Sequence, residues 1–289
     1  MGKELFENST AAAEVFRRCD SLRAGTSDQC FGGTDDELKD TANTQPCMLA
    51  VELACAAALE ERGVRADMAA GFSLGEVAAL TYAGIFSQED GFRLVCRRGE
   101  FMKKAAEEHP ASMAAVLKLS PEQVENICAG IPGAYPVNYN CPGQVSVALA
   151  EGALAPLTAA AREAGGRVMP LKVSGGFHSP FMVAASEQFA AELAQVNIGN
   201  ARVPVYANLT GGLYPETPDE IRRTLAAQIS SPVRWETIVR AMAENGVDTF
   251  VELGPGHTLC GLISKTLAGV RTFPVEDMAG LAAAAEAIC

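Results

Sequence analysis

Residues Gly71-Phe72-Ser73-Leu74-Gly75 read G-x-S-x-G. That is the spacing of a nucleophile elbow, in which a sharp strand-to-helix turn projects a serine Oγ out of the backbone. A short apolar stretch at 68–71 precedes the motif and a helix-like run at 74–82 follows it, so it stands where such a turn must. The glycines allow close packing around the strained turn. The Leu74 N–H then points into the site as an oxyanion donor, aided by the positive end of the helix dipole. A serine hydroxyl needs a base, and the chain has 3 His. His109 lies in the polar stretch Glu107-Glu108-His109-Pro110 and reads as a solvated surface residue. His257 follows the Gly254-Pro255-Gly256 turn at a helix start and reads as a capping or structural residue. His178, within Ser174-Gly175-Gly176-Phe177-His178-Ser179-Pro180, sits at a glycine-rich turn leading into a helix and is the expected base.

A hydrolase triad on an α/β scaffold would place its acid between Ser and His in chain order. No acidic residue between Ser73 and His178 closes a strand in a suitable loop. A Ser-His pair whose imidazole is oriented by a neutral acceptor fits better, and Gln228 with the carbonyls around it is the candidate orienter. Arg98 bears on the substrate. It shares a helix with Phe92, Val95, Cys96 and Met102, which mark that helix's buried side. A guanidinium clamps a carboxylate in two parallel bonds. If Arg98 lines the site, the substrate carries a carboxylate; the alternative is a surface Arg.

The scaffold follows from the periodicity. Helices are expected over 11–22, 44–59, 74–82 and 88–108, with Pro46 in the first turn of the second and 35–40 as a helix start or loop. The texture then changes to strands at 113–119, within 135–149 and at 167–173, with helices at 121–128 and 151–164. This β-α-β-β-α-β order is the ferredoxin-like pattern, an inserted subdomain of residues 108–173. A helix at 178–196, a strand at 203–207, helices at 219–229 and 235–245, a strand at 249–253 and helices at 258–267 and 279–287 follow. Strands alternating with helices favour an α/β fold with a mostly parallel sheet.

Composition excludes several classes of function. The 23 Lys and Arg against 35 Asp and Glu give a net charge of -12, so no basic face suits a nucleic acid. No window reaches the ~18 to 20 unbroken apolar residues of a membrane helix. The opening Met-Gly-Lys-Glu-Leu-Phe-Glu lacks the order of a secretory signal. The 9 Cys, without a C-x-x-C pair, suit reduced thiols, and a cytoplasmic location is expected.

Several motifs, in order, carry a family resemblance. They are Gly71-Phe72-Ser73-Leu74-Gly75-Glu76, Arg98-Gly99-x-Phe101-Met102, Val137-Asn138-Tyr139-Asn140-x-Pro142-Gly143-Gln144, Phe177-His178-Ser179, Ser231-Pro232-Val233-Arg234-Trp235 and Glu252-Leu253-Gly254-Pro255-Gly256. Over nearly its whole length the chain resembles malonyl-CoA:acyl carrier protein transacylases, whose fold also serves the acyltransferase domains of polyketide synthases. The resemblance implies a hydrolase-like core, here residues 1–107 and 174–289, around a ferredoxin-like insert at 108–173. It makes Ser73 the acyl-accepting nucleophile, His178 its base, Gln228 the residue whose backbone carbonyl orients the imidazole, and Arg98 the partner of the malonyl carboxylate. Asn140 and Gln45 match polar residues near the pocket, and Phe177 matches the bulky residue of malonyl-selective members. The implied reaction takes malonyl from malonyl-CoA to the phosphopantetheine thiol of acyl carrier protein in fatty acid biosynthesis. It needs no metal or bound cofactor, and the resemblance implies a monomer.

Two departures stand out. Phe72 occupies the position where the family usually has His. The chain also starts at Met1-Gly2-Lys3-Glu4-Leu5, inside a run that the family places after an opening strand and a Phe-Pro-Gly-Gln-Gly-x-Gln loop bearing a second oxyanion donor. A strand and that donor are therefore expected in front of Met1. The competing readings are a serine hydrolase of acyl thioesters and an inactive, N-terminally truncated homologue that binds carrier protein.

Overall fold

Ser9 and Asp40 accept backbone N–H groups from Ala12 and Ala42, and these caps start the first two long helices. The computed structural model describes residues 1–173 and 175–289. The chain opens with α1 (Lys3–Asn8), α2 (Thr10–Leu22), α3 (Thr26–Gly32), α4 (Asp35–Lys39) and α5 (Thr41–Glu61). Because Asp40 caps α5, the helix begins before residue 44. Pro46 therefore lies in its second turn and not its first, where it can donate no bond to the Ala42 carbonyl. α5 is apolar on nearly all sides and packs against α2 and against α7 (Gln88–Glu108), with α6 (Gly75–Tyr82) alongside. Leu49, Ala50, Val51 and Ala54 are fully enclosed at the centre of the main core. α7 presents Phe92, Val95, Arg98 and Met102 to that core, as the helical spacing requires.

The middle of the chain forms β1 (Ser112–Leu117), α8 (Pro121–Ala129), β2 (Ala134–Cys141), β3 (Gln144–Leu149), α9 (Leu154–Glu163) and β4 (Arg167–Pro170). The strands make one antiparallel sheet in the order β2-β3-β1-β4. Its helix-facing side has a core of its own, including Val116, Val124, Val147 and Leu157. β2 is tied to the rest of the chain by Val233, whose N–H donates to the Val137 carbonyl at 2.8 Å and whose carbonyl accepts the Tyr139 N–H at 2.9 Å.

A 3-10 turn at Pro180–Met182 leads into α10 (Val183–Leu193), then α11 (Pro218–Gln228), α12 (Trp235–Glu244), β5 (Thr249–Leu253), α13 (Thr258–Thr266), β6 (Arg271–Val275) and α14 (Met278–Ile288). β5 and β6 pair in parallel across α13. The strands expected at 68–71 and 203–207 reduce to one parallel bridge, Ala69 to Val205. Ala69 N–H donates to the Pro204 carbonyl at 2.9 Å and Tyr206 N–H to the Ala69 carbonyl at 3.0 Å. Pro204 has no N–H with which to extend the ladder. A cavity of about 660 Å³, lined by Glu52, Met68, Ala70, Phe72 and Val251 among others, separates this bridge from β5. The fold is α/β. The expected start of the second core segment, Ser174, which also opens the glycine-rich turn, lies outside the described residues. Among the described residues no helix is long and apolar enough to cross a membrane.

Candidate active site

Ser73 stands between a bend and the first turn of α6 with φ 55, a left-handed conformation that an L-residue adopts only under constraint. The two glycines of the motif are not equivalent. A Cβ on Gly71 would lie 1.9 Å from the Gly75 carbonyl carbon, whereas a Cβ on Gly75 would meet nothing nearer than Glu52 Oε1 at 3.8 Å. Only Gly71 is required by close packing, which corrects the expectation that both are. Gly71→Ala should therefore cost about 1 to 3 kcal/mol or more and disarm the elbow, while Gly75→Ala should shift stability by less than about 1 kcal/mol. Urea melts and transfer rates of the two variants check this, and equal effects would refute the distinction.

The turn is clamped by Asn208, a fully buried residue to which the sequence reading assigned no role. Its Oδ1 accepts the Ser73 N–H at 2.8 Å and its Nδ2 donates to the Gly71 carbonyl at 2.7 Å. Ser73 Oγ then lies 2.7 Å from His178 Nε2. On the far side of the ring, Nδ1 is 2.9 Å from the main-chain oxygen of Gln228. A carbonyl can only accept, so Nδ1 carries the proton and the Nε2 lone pair faces the serine. Gln228 is the last residue of α11, whose final carbonyls have no intrahelical partner and carry the negative end of the dipole. The pair thus sits between the positive end of α6 and the negative end of α11. The Leu74 N–H has no acceptor among the described residues, as an oxyanion donor requires.

His178 is 3% exposed. Burial, then the nearby Arg98 charge, pushes its pKa down to about 4, against the opposing pull of the Gln228 and Ser231 backbone. At neutral pH it is an uncharged imidazole able to take a proton. Arg98 is wholly buried, with Nη1 donating to Gln45 Oε1 at 2.7 Å and Nη2 to Gln228 Oε1 at 2.9 Å and Ser73 Oγ at 3.2 Å. Its Nε has no partner among the described residues. Burial lowers its pKa to about 10, with Glu76 and Tyr214 holding it up, so it stays a cation. The fork meets only neutral oxygens, which leaves it suited to an incoming carboxylate.

The structure joins Ser73, Leu74, His178, Arg98, Gln228 and Gln45 into one cluster. It does not bond Asn140 to them: on β2, Asn140 Nδ2 donates to Ser146 Oγ at 3.1 Å within the hairpin. Phe177 is half-buried where the main core meets Met113, Val137 and Ala148 of the antiparallel sheet. Phe72 packs edge-on against Trp235, ring centroids 5.6 Å apart. His109 is exposed at the end of α7, as expected. His257 occupies the N-cap of α13 but its side chain does not cap; the Glu252 carboxylate does so, accepting the Leu259 and Cys260 N–H groups at 2.9 and 2.7 Å. Glu76 and Tyr214, the other polar side chains of the cluster, were assigned no role from the sequence. A glutamate in a helix's first turn is also an ordinary dipole partner, and only its sequence position next to the elbow hinted at more.

Comparison with known proteins gives the family. The acyl transferase domain family matches residues 1–285. The malonyl CoA-acyl carrier protein transacylase of Bacillus subtilis (strain 168) is 36% identical over 283 residues, which cover 96% of this chain and 89% of that protein. The crystal structure of malonyl CoA-acyl carrier protein transacylase from Clostridium perfringens superposes with a TM-score of 0.95 at 35% identity, covering 99% of this chain and 92% of that one. A malonyl-transacylase in complex with its type II PKS acyl-carrier protein superposes with a TM-score of 0.95 at 31% identity, covering 99% and 94%. Likeness of this degree along almost its whole length means that the chain belongs to the acyl transferase domain family, among the malonyl CoA-acyl carrier protein transacylases.

Proposed function

We propose that this chain transfers the malonyl group from malonyl-CoA to the phosphopantetheine thiol of an acyl carrier protein, in fatty acid biosynthesis, through an acyl-Ser73 intermediate. One observation carries the reading: a single atom, Ser73 Oγ, lies 2.7 Å from an uncharged imidazole nitrogen and 3.2 Å from a buried guanidinium. A base for the nucleophile and a clamp for a carboxylate on the acyl group meet at one point.

His178 Nε2 takes the Ser73 proton as Oγ attacks the thioester carbonyl, and the Leu74 N–H stabilises the oxyanion. The C–S bond breaks, His178 returns the proton to the sulfur, and coenzyme A leaves as a thiol. The carrier thiol then gives its proton to His178 and attacks the ester, and Ser73 recovers the proton as it departs. Arg98 holds the free carboxylate throughout, with Gln45 and Gln228 keeping its fork aligned. Every step is proton transfer and acyl exchange, which calls for no metal or redox group. We assign Phe177 the role of limiting the acyl pocket to a small extender unit and Asn140 that of a polar wall on the insert side.

The antiparallel order β2-β3-β1-β4 with α8 and α9 on one face supports reading residues 108–173 as a ferredoxin-like insert. The parallel β5-β6 pair and the elbow support a hydrolase-like core. We further take the protein to be a cytoplasmic monomer, the 9 Cys without a C-x-x-C pair supporting the location and the family resemblance the monomer. Incubation with malonyl-CoA and holo acyl carrier protein, followed by intact-mass analysis, tests the function. Malonyl should appear on the carrier and on Ser73, and on neither with Ser73→Ala. Transfer by Ser73→Ala would overturn the mechanism, and release of free malonate without transfer would make the protein a thioester hydrolase.

A further inference from the structure

Behind Ser73 and His178 lies a second layer of polar side chains, with Glu76, Asn208 and Gln228 wholly buried and Tyr214 half-buried, that bond neither Ser73 Oγ nor His178 Nε2. Glu76, in the first turn of α6, is 0% exposed. Its Oε1 accepts the Tyr214 hydroxyl, and its Oε2 accepts Gln228 Nε2 at 2.9 Å and the Asn208 N–H at 3.3 Å. Each of these neighbours donates. That arrangement suits a carboxylate: as a carboxylic acid its own O–H would need an acceptor, which among these three only the Tyr214 hydroxyl, reversed, could supply.

The partner that matters is Gln228. Its Nε2 also donates to the Ser73 carbonyl at 2.7 Å, and its Oε1 accepts from Arg98. Turned over, the amide would point its NH2 at a guanidinium and its oxygen at both a carboxylate and a main-chain carbonyl. Glu76 and Arg98 thus fix the amide from opposite sides. The same residue's main-chain oxygen aims His178.

We propose that Glu76 is a positioning residue for the transfer reaction: through Gln228 it fixes both the oxygen that aligns Arg98 and the residue whose carbonyl aims His178, and its charge offsets that of Arg98 in the buried site. The proposal rests on the transfer reading given above.

The charged and titratable groups around Glu76 are Tyr214, Arg98 of α7 and His178 across Gln228, and Glu52 of α5, whose Oε1 lies 3.8 Å from where a Gly75 Cβ would sit. Burial pushes Glu76 up to about 7, with Tyr214, Gln228, Asn208 and Arg98 drawing it back. Burial likewise pushes Glu52 up to about 8, so it is mostly uncharged at neutral pH. Above about pH 7 Glu76 is ionised and all its donors are satisfied; below, its added proton reverses the Tyr214 bond or displaces a donor on Oε2, and the neutral acid holds Gln228 Nε2 less firmly than the carboxylate did. His178, at about 4, stays uncharged over that range. The acid limb of kcat/KM should therefore belong to Glu76.

Transfer kinetics from pH 5 to 9 with the full chain test this. In the unmodified enzyme kcat/KM should fall on the acid side with a midpoint near 7. Glu76→Gln should lower kcat/KM at pH 8 by ~10 to 100-fold, as loss of a residue supporting a reactive group does, and remove that limb. Glu76→Asp should lose rate but keep an acid limb. Should Glu76→Gln fail to fold, Tyr214→Phe withdraws one donor from the carboxylate and should move the midpoint upward. A limb that neither variant moves, or a rate loss that only follows the folded fraction measured by circular dichroism, overturns the proposal. If the unmodified chain fails to load Ser73 at all, the transfer reading itself falls; if it loads Ser73 and only the Glu76 predictions fail, that reading survives.

Discussion

His178→Ala is expected to slow malonyl loading of Ser73 by on the order of 10⁴-fold at pH 7.5. Among the described residues the only other side chain bonded to Ser73 Oγ is Arg98, which donates and cannot take a proton. The loss falls on the chemical step, so KM for malonyl-CoA should change little while kcat collapses. Single-turnover intact-mass measurements give the rate directly, and a loss smaller than tenfold would mean that some other group serves as the base. A linked effect appears in stability. The folded-state pKa of His178 is depressed from 6.5 to about 4, so the unfolded chain holds its proton at a pH where the folded chain has lost it. Stability from this residue is complete above about pH 6.5 and drains away as pH falls toward 4. His178→Ala should flatten that part of the stability profile.

Arg98→Ala should lower kcat/KM for malonyl-CoA by ~10² to 10⁴, the loss of two charge-assisted hydrogen bonds worth about 1.5 to 3 kcal/mol each. Acetyl-CoA has no carboxylate to lose, so the ratio of malonyl to acetyl transfer should fall by a comparable factor. Competition between the two thioesters, read by mass on the carrier, reports that ratio without depending on enzyme concentration. Arg98→Lys should restore little, since a point charge cannot reproduce the fork held by Gln45 and Gln228. Removing Arg98 also leaves the buried Gln45 and Gln228 amide oxygens without a donor, which costs about 1 to 3 kcal/mol each. A lowered melting temperature should accompany the specificity change. An unaltered malonyl to acetyl ratio in folded Arg98→Ala would remove Arg98 from substrate selection.

The parts of this site that could be read in the sequence are those encoded locally. The elbow is five adjacent residues between an apolar stretch and a helix, and Arg98 betrays itself by falling on the buried stripe of an otherwise regular helix. His178 followed from elimination among 3 histidines, whereas Gln228 was one possible orienter whose role the family resemblance supplied. Asn208, Glu76 and Tyr214 have no such mark. Their meaning lies in contacts 132 to 138 residues apart, and polar residues of these types most often face water. The same limit explains the strands. β5 was legible as an apolar run bounded by a Gly-Pro-Gly turn, but β6 contains Pro274, which argues against a central strand. It is tolerated because β6 pairs only with β5 and lies at an edge. The converse occurred at 203–207, where apolar residues suggested a full strand and, beside Pro204, only isolated bridges form, Val205 to Ala69 and Tyr206 to Leu213.

The bonds that hold Ser73 in place reach to His178, Asn208 and Gln228, 105, 135 and 155 residues further along the chain. At ~5 to 20 residues per second of synthesis, Gln228 leaves the ribosome roughly 8 to 30 s after Ser73. Until then no Gln228 carbonyl aims the imidazole and no Gln228 amide stands between Glu76 and Arg98, even once His178 and Asn208 have been made. A nascent chain therefore carries an inert hydroxyl. On this geometry self-acylation from the cell's thioesters waits until the segment through Gln228 has emerged and docked.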